Sequence, residues 1–458
     1  GPAKPNVLFI AVDDLRPQLG CYGSPQILTP NFDRLASQGM LFERAYCQQA
    51  ISMSSRASLL SGYRPDKGKI YLNGPLYKQV PDALPVNQHF LDNGYEAITI
   101  GKIFHHHSDE KKGWSQEAFH PKGAWEGRGY LTPEAIAWSR EFDEKHPNGS
   151  KQGVGPAFEC AEAEDTAYPD GVSAERAIAE LNRLKDKPFF LAVGFHKPHL
   201  PFCAPKKYWD LYPEDTIALA PNPFVPKGAP SQALTDWGEL RAYHGMPQEG
   251  PMPDDLARKL IHGYYACVSY VDALLGRLLD ELERLKLREN TIIVLWGDHG
   301  WKLGEHGMWC KHTDFELDTH ATLMISAPNA KAKGQHTRAL TEFVDIYPTL
   351  CDLAGLAKPP HLEGKSVAPL LDTPEMPWKE AAYSQYPRGT IMGYSVRTDR
   401  YRYTEWRRIG EKDIKARELY DHQNDPAENV NVAEAPENRA VVEHHSELLK
   451  QGFQTIPR

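Results

Sequence analysis

The sequence predicts an α/β fold with a large, mostly parallel sheet covered by helices on both faces, followed by a small α+β domain. The first observation is a series of continuous apolar runs, such as residues 7–12, because strands buried on both faces lack polar positions. The second is that these runs alternate with helical patterns, as in sheets with helices on both sides. The third is a change, after the Pro-rich stretch 358–378, to alternating patterns typical of antiparallel strands.

Each run along the chain predicts one element. Thr29 and Pro30 predict a helix start, with Thr29 as N-cap and Pro30 in the first turn. The stretch 254–285 predicts a long amphipathic helix, broken at most once. The other predicted strands are 96–100, 189–195, 291–295 and 323–326, the other helices are 170–184 and 342–356, and antiparallel strands are predicted within 394–406. We expect a catalytic domain over residues 1–379 and an α+β subdomain over residues 380–458.

The composition is that of an ordinary globular chain and excludes several classes of protein. A net charge of −9 and a pI near 6.1 argue against a general nucleic-acid-binding protein. No apolar run reaches the length of about 18 residues that a membrane span needs, and we expect no membrane partner. The start of this chain has no signal-peptide pattern. Seven scattered cysteines without a CxxC pair exclude a zinc ribbon and leave room for one or two disulfides.

Three carboxylates follow predicted strand ends. Asp13 and Asp14 come directly after the run 7–12, and Asp298 lies in the segment Gly-Asp-His-Gly after the run 291–295. In open α/β sheets, functional groups gather at the carboxyl ends of the strands. Converging acids need a cation, and calcium prefers several oxygen ligands. Each motif alone fits solvated loop acids equally well, but together they predict a metal site.

Ser52 stands just before a predicted helix start, with Arg56 one turn further along. The free amide groups and the dipole of a helix N-terminus favour anions and polarise a nucleophile. An arginine one turn along is placed to contact an anionic ester with two hydrogen bonds. A helix N-cap followed by a surface arginine explains the pair equally well when it is read alone.

Basic side chains on other strand-end loops complete the candidate site. They are Lys102, His105, His196 and Lys311. They offer cations for an oxyanion and a histidine to protonate the leaving oxygen. The histidine run 105–107 also fits a transition-metal site, which is the weaker hypothesis because consecutive positions rarely face one ion.

Several blocks resemble the sulfatases of the alkaline-phosphatase superfamily. These blocks are residues 6–16, 29–36, 52–65, 297–307 and 419–426. The resemblance covers nearly the whole chain and is strongest to iduronate-2-sulfatases, through the segments 101–105, 196–199 and 394–398. It implies an alkaline-phosphatase-like sandwich with a small C-terminal α+β subdomain.

The resemblance also implies cofactors and roles. The family converts a Cys or Ser at the position of Ser52 to formylglycine, whose hydrate attacks sulfur, displaces the alcohol and then expels sulfate. Ser52 and Ser54 depart from the usual Cys and the usual Pro or Ala. The implied metal is one calcium ion, bound by Asp13, Asp14, Asp298 and His299. The implied catalytic residues are Ser52, Arg56, Lys102, His105, His196 and Lys311, and the implied substrate-binding residues are Trp301 and Arg397.

The expected activity is hydrolysis of a sulfate ester on a carbohydrate. The favoured substrate is a terminal 2-O-sulfated uronic acid. A sulfated polysaccharide fragment is nearly as well supported, because a fold does not determine which sugar is bound. Two other hypotheses stay open: a phosphatase or phosphodiesterase that uses unmodified Ser52, and an inactive, possibly engineered form that binds sugar sulfates. The expected partners are the sulfated saccharide and a formylglycine-maturation enzyme, in a periplasmic, extracellular or lysosome-like compartment, and we expect no nucleic-acid partner.

Residues 106–168 and 201–253 show the least helix or strand periodicity, and we expect these loops to bind the sugar and determine substrate specificity. Their aromatic candidates are Trp114, Trp125, Trp138, Trp209 and Trp237, each of which fits a packing role equally well. The C-terminal subdomain is expected to close the pocket through Arg397, Tyr401 or Trp406, with an arginine pairing a uronate carboxylate.

Overall fold

The computed structural model describes residues 4–124, 126–149 and 151–458. The strands are β1 (Asn6–Val12), β2 (Met40–Phe42), β3 (Ala45–Tyr46), β4 (Glu96–Gly101), β5 (Phe158–Ala161), β6 (Phe189–Phe195), β7 (Phe202–Pro205), β8 (Thr291–Gly297), β9 (Lys302–Leu303), β10 (Trp309–Cys310), β11 (His320–Ala321), β12 (Leu323–Ser326), β13 (Gln335–Thr337), β14 (Thr341–Glu342), β15 (Ala382–Arg388), β16 (Ile391–Arg397), β17 (Tyr401–Arg408) and β18 (Ile414–Asp421). The α-helices are α1 (Pro30–Ser37), α2 (Ser52–Ser61), α3 (Leu76–Gln79), α4 (Val86–Asp92), α5 (Pro133–Lys145), α6 (Pro169–Leu184), α7 (Lys206–Trp209), α8 (Gly238–Arg241), α9 (Asp254–Arg284), α10 (Glu316–Thr319), α11 (Ile346–Ala354) and α12 (Arg439–Gly452).

The core is a seven-stranded sheet with the strand order β13-β2-β12-β8-β1-β6-β4. Its strands β8, β1, β6 and β4 pair in parallel, and β12 is antiparallel to both of its neighbours. Every residue of β1, β6 and β8 is buried, which explains why these strands read as continuous apolar runs. The predicted mostly parallel sheet is confirmed.

Alternate residues of β1 face two separate apolar cores. Leu8 and Ile10 pack with helices α1, α6 and α9 on one face, whereas Val7 and Phe9 pack with helices α2, α4 and α11 on the other. A slip of one residue would exchange the two faces, so this packing fixes the register of the strand. The carboxyl ends of β4, β6, β1 and β8 are therefore held side by side at one edge of the sheet.

Of three local predictions, the first is confirmed and the other two need adjustment. The long helix Asp254–Arg284 is unbroken, and the helix predicted over 342–356 is shortened to Ile346–Ala354 by a preceding 3₁₀ turn. Thr29 does precede α1, but its hydroxyl does not cap the helix. It accepts a hydrogen bond from the Gly20 amide and donates one to Asp33.

The C-terminal part contains the four-stranded antiparallel sheet β15–β18, with helix α12 packed on it. Its own apolar core includes Met392 and Leu449. Arg397 and Arg402 pair with Glu316 of the larger part, at 3.1 and 2.7 Å, and join the sheet to the rest of the chain. The antiparallel sheet was predicted, and the boundary between residues 379 and 380 stays a prediction.

All seven cysteines lie in the described residues as free thiols, so the disulfides that the sequence allowed are absent. Burial raises the pKa of the Cys47, Cys203 and Cys310 thiols well above the usual value and keeps them protonated. Among the described helices, none combines the length and apolar composition needed to cross a membrane.

Candidate active site

Three buried carboxylates and a histidine meet at the carboxyl end of the sheet. Asp13 and Asp14 follow β1, and Asp298 and His299 follow the neighbouring strand β8. One ligand atom of each residue lies within 4.8 Å of the others, and all four side chains are fully buried. The structure therefore brings all four predicted metal ligands together.

The donor set suits a hard divalent cation. The carboxylates supply the oxygen atoms that such ions prefer. Since His299 Nδ1 donates to the Gly300 carbonyl at 2.8 Å, Nε2 is the atom that faces the acids, 3.1 Å from Asp14 Oδ1 and 3.4 Å from Asp298 Oδ1. Asp13 Oδ1 accepts no hydrogen bond from any described residue. A bound ion would satisfy this buried oxygen.

Lys102 and Lys311 neutralise the acids from the side of a cavity. Lys102 Nζ lies 2.8 Å from Asp13 Oδ2, and Lys311 Nζ lies 3.1 Å from Asp14 Oδ1. Burial alone would raise the pKa of Asp13, but the charge of Lys102 holds it well below the usual value. The acids are therefore ionised and ready to bind a cation.

Arg56 lies beneath the acid cluster and is completely buried. Its Nε donates to Asp298 Oδ2 at 3.1 Å, and its Nη1 donates to the carbonyl oxygens of Lys102 and Ile103 at 2.7 and 3.0 Å. These bonds tie α2 to the ends of β8 and β4. Arg56 does not line the cavity, but its Nη2 has no hydrogen-bond partner among the described residues, so its direct contact with the ester stays a prediction.

Ser52 is the first residue of α2, one position later than the N-cap, which is Ile51. Its side chain lines the cavity although the residue is only 4% exposed. Its Oγ has no hydrogen-bond partner among the described residues. The amide groups at a helix N-terminus favour negative charge, which suits an anionic oxygen at this position.

The cavity above Ser52 has a volume of about 500 Å³. Its lining residues are Ile51, Ser52, Lys102, His105, His107, Arg128, Lys151, His199, Glu239, Tyr243, Lys311 and His312. Only one of these is acidic, although the chain as a whole has a net charge of −9. A local excess of positive charge of this kind attracts an anionic substrate.

His196 follows β6 and is almost completely buried. The loop that carries it is fixed by Asp170, whose carboxylate accepts hydrogen bonds from the His196 and Lys197 amides, both at 2.8 Å. Burial and the charge of Lys102 lower the pKa of His196 well below the usual 6.5. The imidazole is therefore mostly neutral at neutral pH, and an anion bound nearby would favour its protonation.

The sequence reasoning missed His199 and Glu239. His199 Nε2 and Lys311 Nζ lie 3.2 and 3.1 Å from Glu239 Oε1. Burial alone would raise the pKa of Glu239, but these two partners hold it well below the usual value. His199 was detectable, because it belongs to the strand-end segment 196–199. Glu239 was not, because it lies on the one-turn helix α8 in a stretch without pattern.

Trp301, a predicted sugar contact, lies below the cavity wall. It is 1% exposed, and Lys311 Nζ lies 5.2 Å from its ring centroid. This distance allows a cation–π interaction. Trp301 therefore supports Lys311, and the prediction that it contacts the sugar is wrong.

The predicted closure of the cavity by the C-terminal sheet is also wrong. Arg397, the predicted uronate ligand, is buried and paired with Glu316. Tyr401 packs on the His445 ring, and Trp406 is fully buried. None of these three sheet residues lines the cavity.

Tryptophans of the long loops are packing residues. Trp209 and Trp237 are buried, and Trp138 stacks on His244 with ring centroids 3.6 Å apart. Trp125 lies outside the described residues. The residues of these two stretches that do line the cavity are His107, Arg128, Lys151, Glu239 and Tyr243. The two stretches reach the cavity as predicted, but mainly through basic and polar side chains.

Together, the fold and the site are those of a hydrolase of anionic esters, with a hydroxyl residue at a helix N-terminus, an acid cluster that could hold a divalent ion and a basic cavity. The comparisons identify the family. The profile of the sulfatase family matches residues 5–356, and the profile described as N-sulphoglucosamine sulphohydrolase, C-terminal, matches residues 304–454. The chain therefore belongs to the sulfatase family and is a sulfuric ester hydrolase, as the sequence predicted.

Individual relatives agree with this assignment. The chain is 36% identical to the iduronate 2-sulfatase of Homo sapiens, over 93% of this chain and 90% of that protein. It is 33% identical to a sulfatase of Formosa agariphila, over 97% of this chain and 86% of that protein. A solved structure of a protein in complex with its substrate D-glucosamine-2-N,6-O-disulfate shares the fold, with a TM-score of 0.77, 23% identity and coverage of 98% and 97% of the two chains.

Replacing Asp298 with Asn should weaken the binding of the divalent ion at least about tenfold, because one of three charged oxygen ligands is lost. We expect about one ion per wild-type chain, measured by elemental analysis after gel filtration and by calorimetric titration of the chelated protein. Asp186→Asn is the matched control, because Asp186 is exposed and lies outside the cluster. Wild-type affinity for the ion in Asp298→Asn, or no ion in folded wild-type protein, would contradict the site.

Proposed function

We propose that this sulfatase is a calcium-dependent, exo-acting enzyme that hydrolyses a sulfate ester on a saccharide. The favoured substrate is a terminal 2-O-sulfated uronic acid, and the alternative is a sulfated polysaccharide fragment. The observation that carries the proposal is the basic cavity above Ser52 with the acid cluster at its base. Its volume of about 500 Å³ suits a small ligand. The human relative named iduronate 2-sulfatase supports the choice of sugar.

The proposed cofactors fit the residues that are present. Asp13, Asp14 and Asp298, with His299, would bind calcium, because an oxygen-rich set with several charges favours that ion. A bound calcium ion supplies positive charge beside the sulfate oxygens, and a formylglycine at position 52 supplies an oxygen nucleophile that can later release sulfate. A maturation enzyme would have to introduce the formylglycine.

Lys102 and Lys311 are the proposed sulfate-binding cations, with His105 beside them in the cavity wall. The carboxylates of Asp14 and Glu239 raise the pKa of Lys311 well above the usual value despite burial, so that it is charged at neutral pH. Because its position is fixed before substrate binds, little reorganisation is needed when charge develops on the sulfate oxygens.

His196 is the proposed proton donor. When the S–O bond to the sugar breaks, the electron pair stays on the sugar oxygen, and an alkoxide leaves poorly without a proton. The hydrogen bonds from the loop to Asp170 hold the imidazole in place. His199, paired with Glu239, is placed to bind the substrate beside it.

The geometry disfavours the rival hypothesis of a two-metal phosphatase. A second group of potential ligands, Asp14, His199 and Glu239, does lie next to the acid cluster. Lys311 Nζ, however, is 3.1 Å from both Asp14 Oδ1 and Glu239 Oε1. This ammonium group occupies the position between the carboxylates that a second metal ion would need.

The proposal requires modification of Ser52, which mass spectrometry can test. We expect the peptide that contains Ser52, taken from active enzyme, to include a form two hydrogens lighter than the unmodified peptide. Fragmentation should locate the change at Ser52 and not at Ser54 or Ser55, which are the internal controls. Sulfatase activity in protein whose Ser52 is entirely unmodified would contradict the formylglycine mechanism.

Replacing His196 with Ala should lower kcat on a sugar sulfate by about 100-fold or more, and much less on an aryl sulfate, whose leaving group needs no proton. Since the pKa of His196 is lowered, its protonated fraction grows as the pH falls below 6.5. The kcat of wild-type enzyme on the sugar sulfate should therefore rise in that range relative to kcat on the aryl sulfate.

His336→Ala is the control for this variant, because His336 is exposed and lies outside the cavity. It should keep both rates and the pH dependence. Equal losses on the two substrates in His196→Ala would mean that His196 only positions the sulfate.

Arg128 is the proposed partner of the uronate carboxylate. It lines the cavity while its Nε donates to the Gln152 carbonyl at 3.1 Å. Arg128→Gln should raise KM for a sulfated uronic acid about tenfold or more, because a charge-assisted hydrogen bond contributes about 1.5–3 kcal/mol. KM for a neutral sulfated sugar should change little. Arg140→Gln, on the exposed face of α5, is the control, and equal changes for both substrates would contradict this role.

A further inference from the structure

A second group of metal-binding side chains lies beside the catalytic cavity. His107, Glu110 and His120 each offer a ligand atom within 4.8 Å of the others. We propose that these three residues, here called the rim cluster, bind one transition-metal ion of the zinc class. Because His107 also lines the catalytic cavity, the ion would lie at the edge of the substrate-binding space. The proposal does not depend on the identity of the sulfated substrate.

Two of the ligands come from one fixed turn. His107 and Glu110 are the first and last residues of a 3₁₀ turn, in which side chains three positions apart point in the same direction. Asp109 anchors this turn, because its carboxylate accepts hydrogen bonds from the Leu76 and Tyr77 amides at 2.8 and 3.1 Å. The backbone that carries both ligands is therefore held in place without a metal.

The third ligand is held by the edge of the main sheet. Phe119, directly before His120, donates its amide to the Thr99 carbonyl at 3.1 Å and accepts a bond from the Gly101 amide at 2.8 Å. The His120 and His107 rings lie parallel, with centroids 4.4 Å apart and 7° between the planes. The two imidazoles are thus stacked before any ion binds, and one ring has to tilt so that both nitrogen lone pairs, which lie in the ring planes, point at one ion.

A buried carboxylate oxygen of Glu110 without a partner is the observation that points to a bound ion. The residue is 7% exposed, and its Oε2 lies 2.7 Å from His120 Nε2. Its other carboxylate oxygen, Oε1, is buried and accepts no hydrogen bond from any described residue. A carboxylate oxygen without a partner in the interior is costly, and a metal ion would satisfy it.

The chemistry of the cluster selects the class of ion. Two imidazoles and one carboxylate form a typical three-ligand zinc set that leaves a position open for water or a substrate oxygen. The ion would replace the proton that His120 Nε2 shares with Glu110 Oε2. Zinc ligands lie about 2.0–2.2 Å from the ion in tetrahedral geometry, so these two atoms, now 2.7 Å apart, have to move apart by roughly 0.6–0.9 Å.

The rim cluster also explains what the histidine run 105–107 contributes. Consecutive histidines rarely face one ion, and the structure agrees, because only His107 of the run joins the cluster. His105 lines the catalytic cavity instead, and His106 packs edge-on against the His105 ring. The other two ligands come from positions 110 and 120, which the run itself does not reveal.

The test is to count zinc sites by competition with a chromophoric chelator, using calcium-saturated enzyme. We expect His107→Ala to bind one Zn²⁺ ion fewer per chain than the wild type, and Glu110→Gln to bind this ion at least about tenfold more weakly. His106→Ala is the matched control and should keep the wild-type count. Co²⁺ should give a visible absorption band in the wild type and in His106→Ala that His107→Ala lacks.

His107 is exposed, so its replacement should leave the thermal unfolding midpoint of the metal-free protein unchanged, which shows that the variant is folded. The difference in the number of zinc ions per chain between wild type and variant also distinguishes zinc bound at the rim cluster from zinc bound at the acid cluster. The same zinc count in wild type, His107→Ala and His120→Ala would overturn the proposal, as would an equal loss in His106→Ala.

Discussion

The structure depends on the neutralisation of three buried carboxylates at the ends of two adjacent strands. Removing such charges from water costs several kcal/mol per ion unless opposite charges lie close. The required cations come from three distant parts of the chain: Arg56 from α2, Lys102 from the end of β4, and Lys311 from the segment after β10. Each of these segments is therefore tied to the same point at the edge of the sheet, and the cavity is the space between them.

The same constraint reaches the outer layers of the molecule. Lys311 has Glu239 on one side and the Trp301 ring on another. The C-terminal sheet holds His312, the residue that follows Lys311, because Arg388 of β15 donates a hydrogen bond to the His312 carbonyl at 2.5 Å. The sheet thus serves the site by fixing the segment that carries Lys311, and Arg397 does not line the cavity.

Residues at strand ends were predictable because the strands carry their own signal. A continuous apolar run such as β1 or β8 marks a buried strand, and the polar residues that follow it must lie at the edge of the sheet, as Asp13 and Asp298 do. The roles of Trp301 and Arg397 were not predictable, because a residue type does not show which way its side chain faces. Glu239 gave no signal either, since it lies on a helix of a single turn in a stretch without sequence pattern.

The charges around the site favour a sulfate ester over a phosphate monoester. The three carboxylates of the acid cluster are balanced by Arg56, Lys102 and Lys311, and the cavity adds one further carboxylate from Glu239. The cavity wall also carries Arg128 and Lys151. With Lys311 where a second divalent ion would lie, the site carries one positive charge fewer than a two-metal site would. A sulfate monoester carries a single negative charge, whereas a phosphate monoester, whose second pKa is near 6, carries about two at neutral pH. The one-charge difference between a site with Lys311 and a site with a second metal ion therefore parallels the difference between sulfate and phosphate monoesters, and the pairing with Glu239 holds the Lys311 ammonium group in that position.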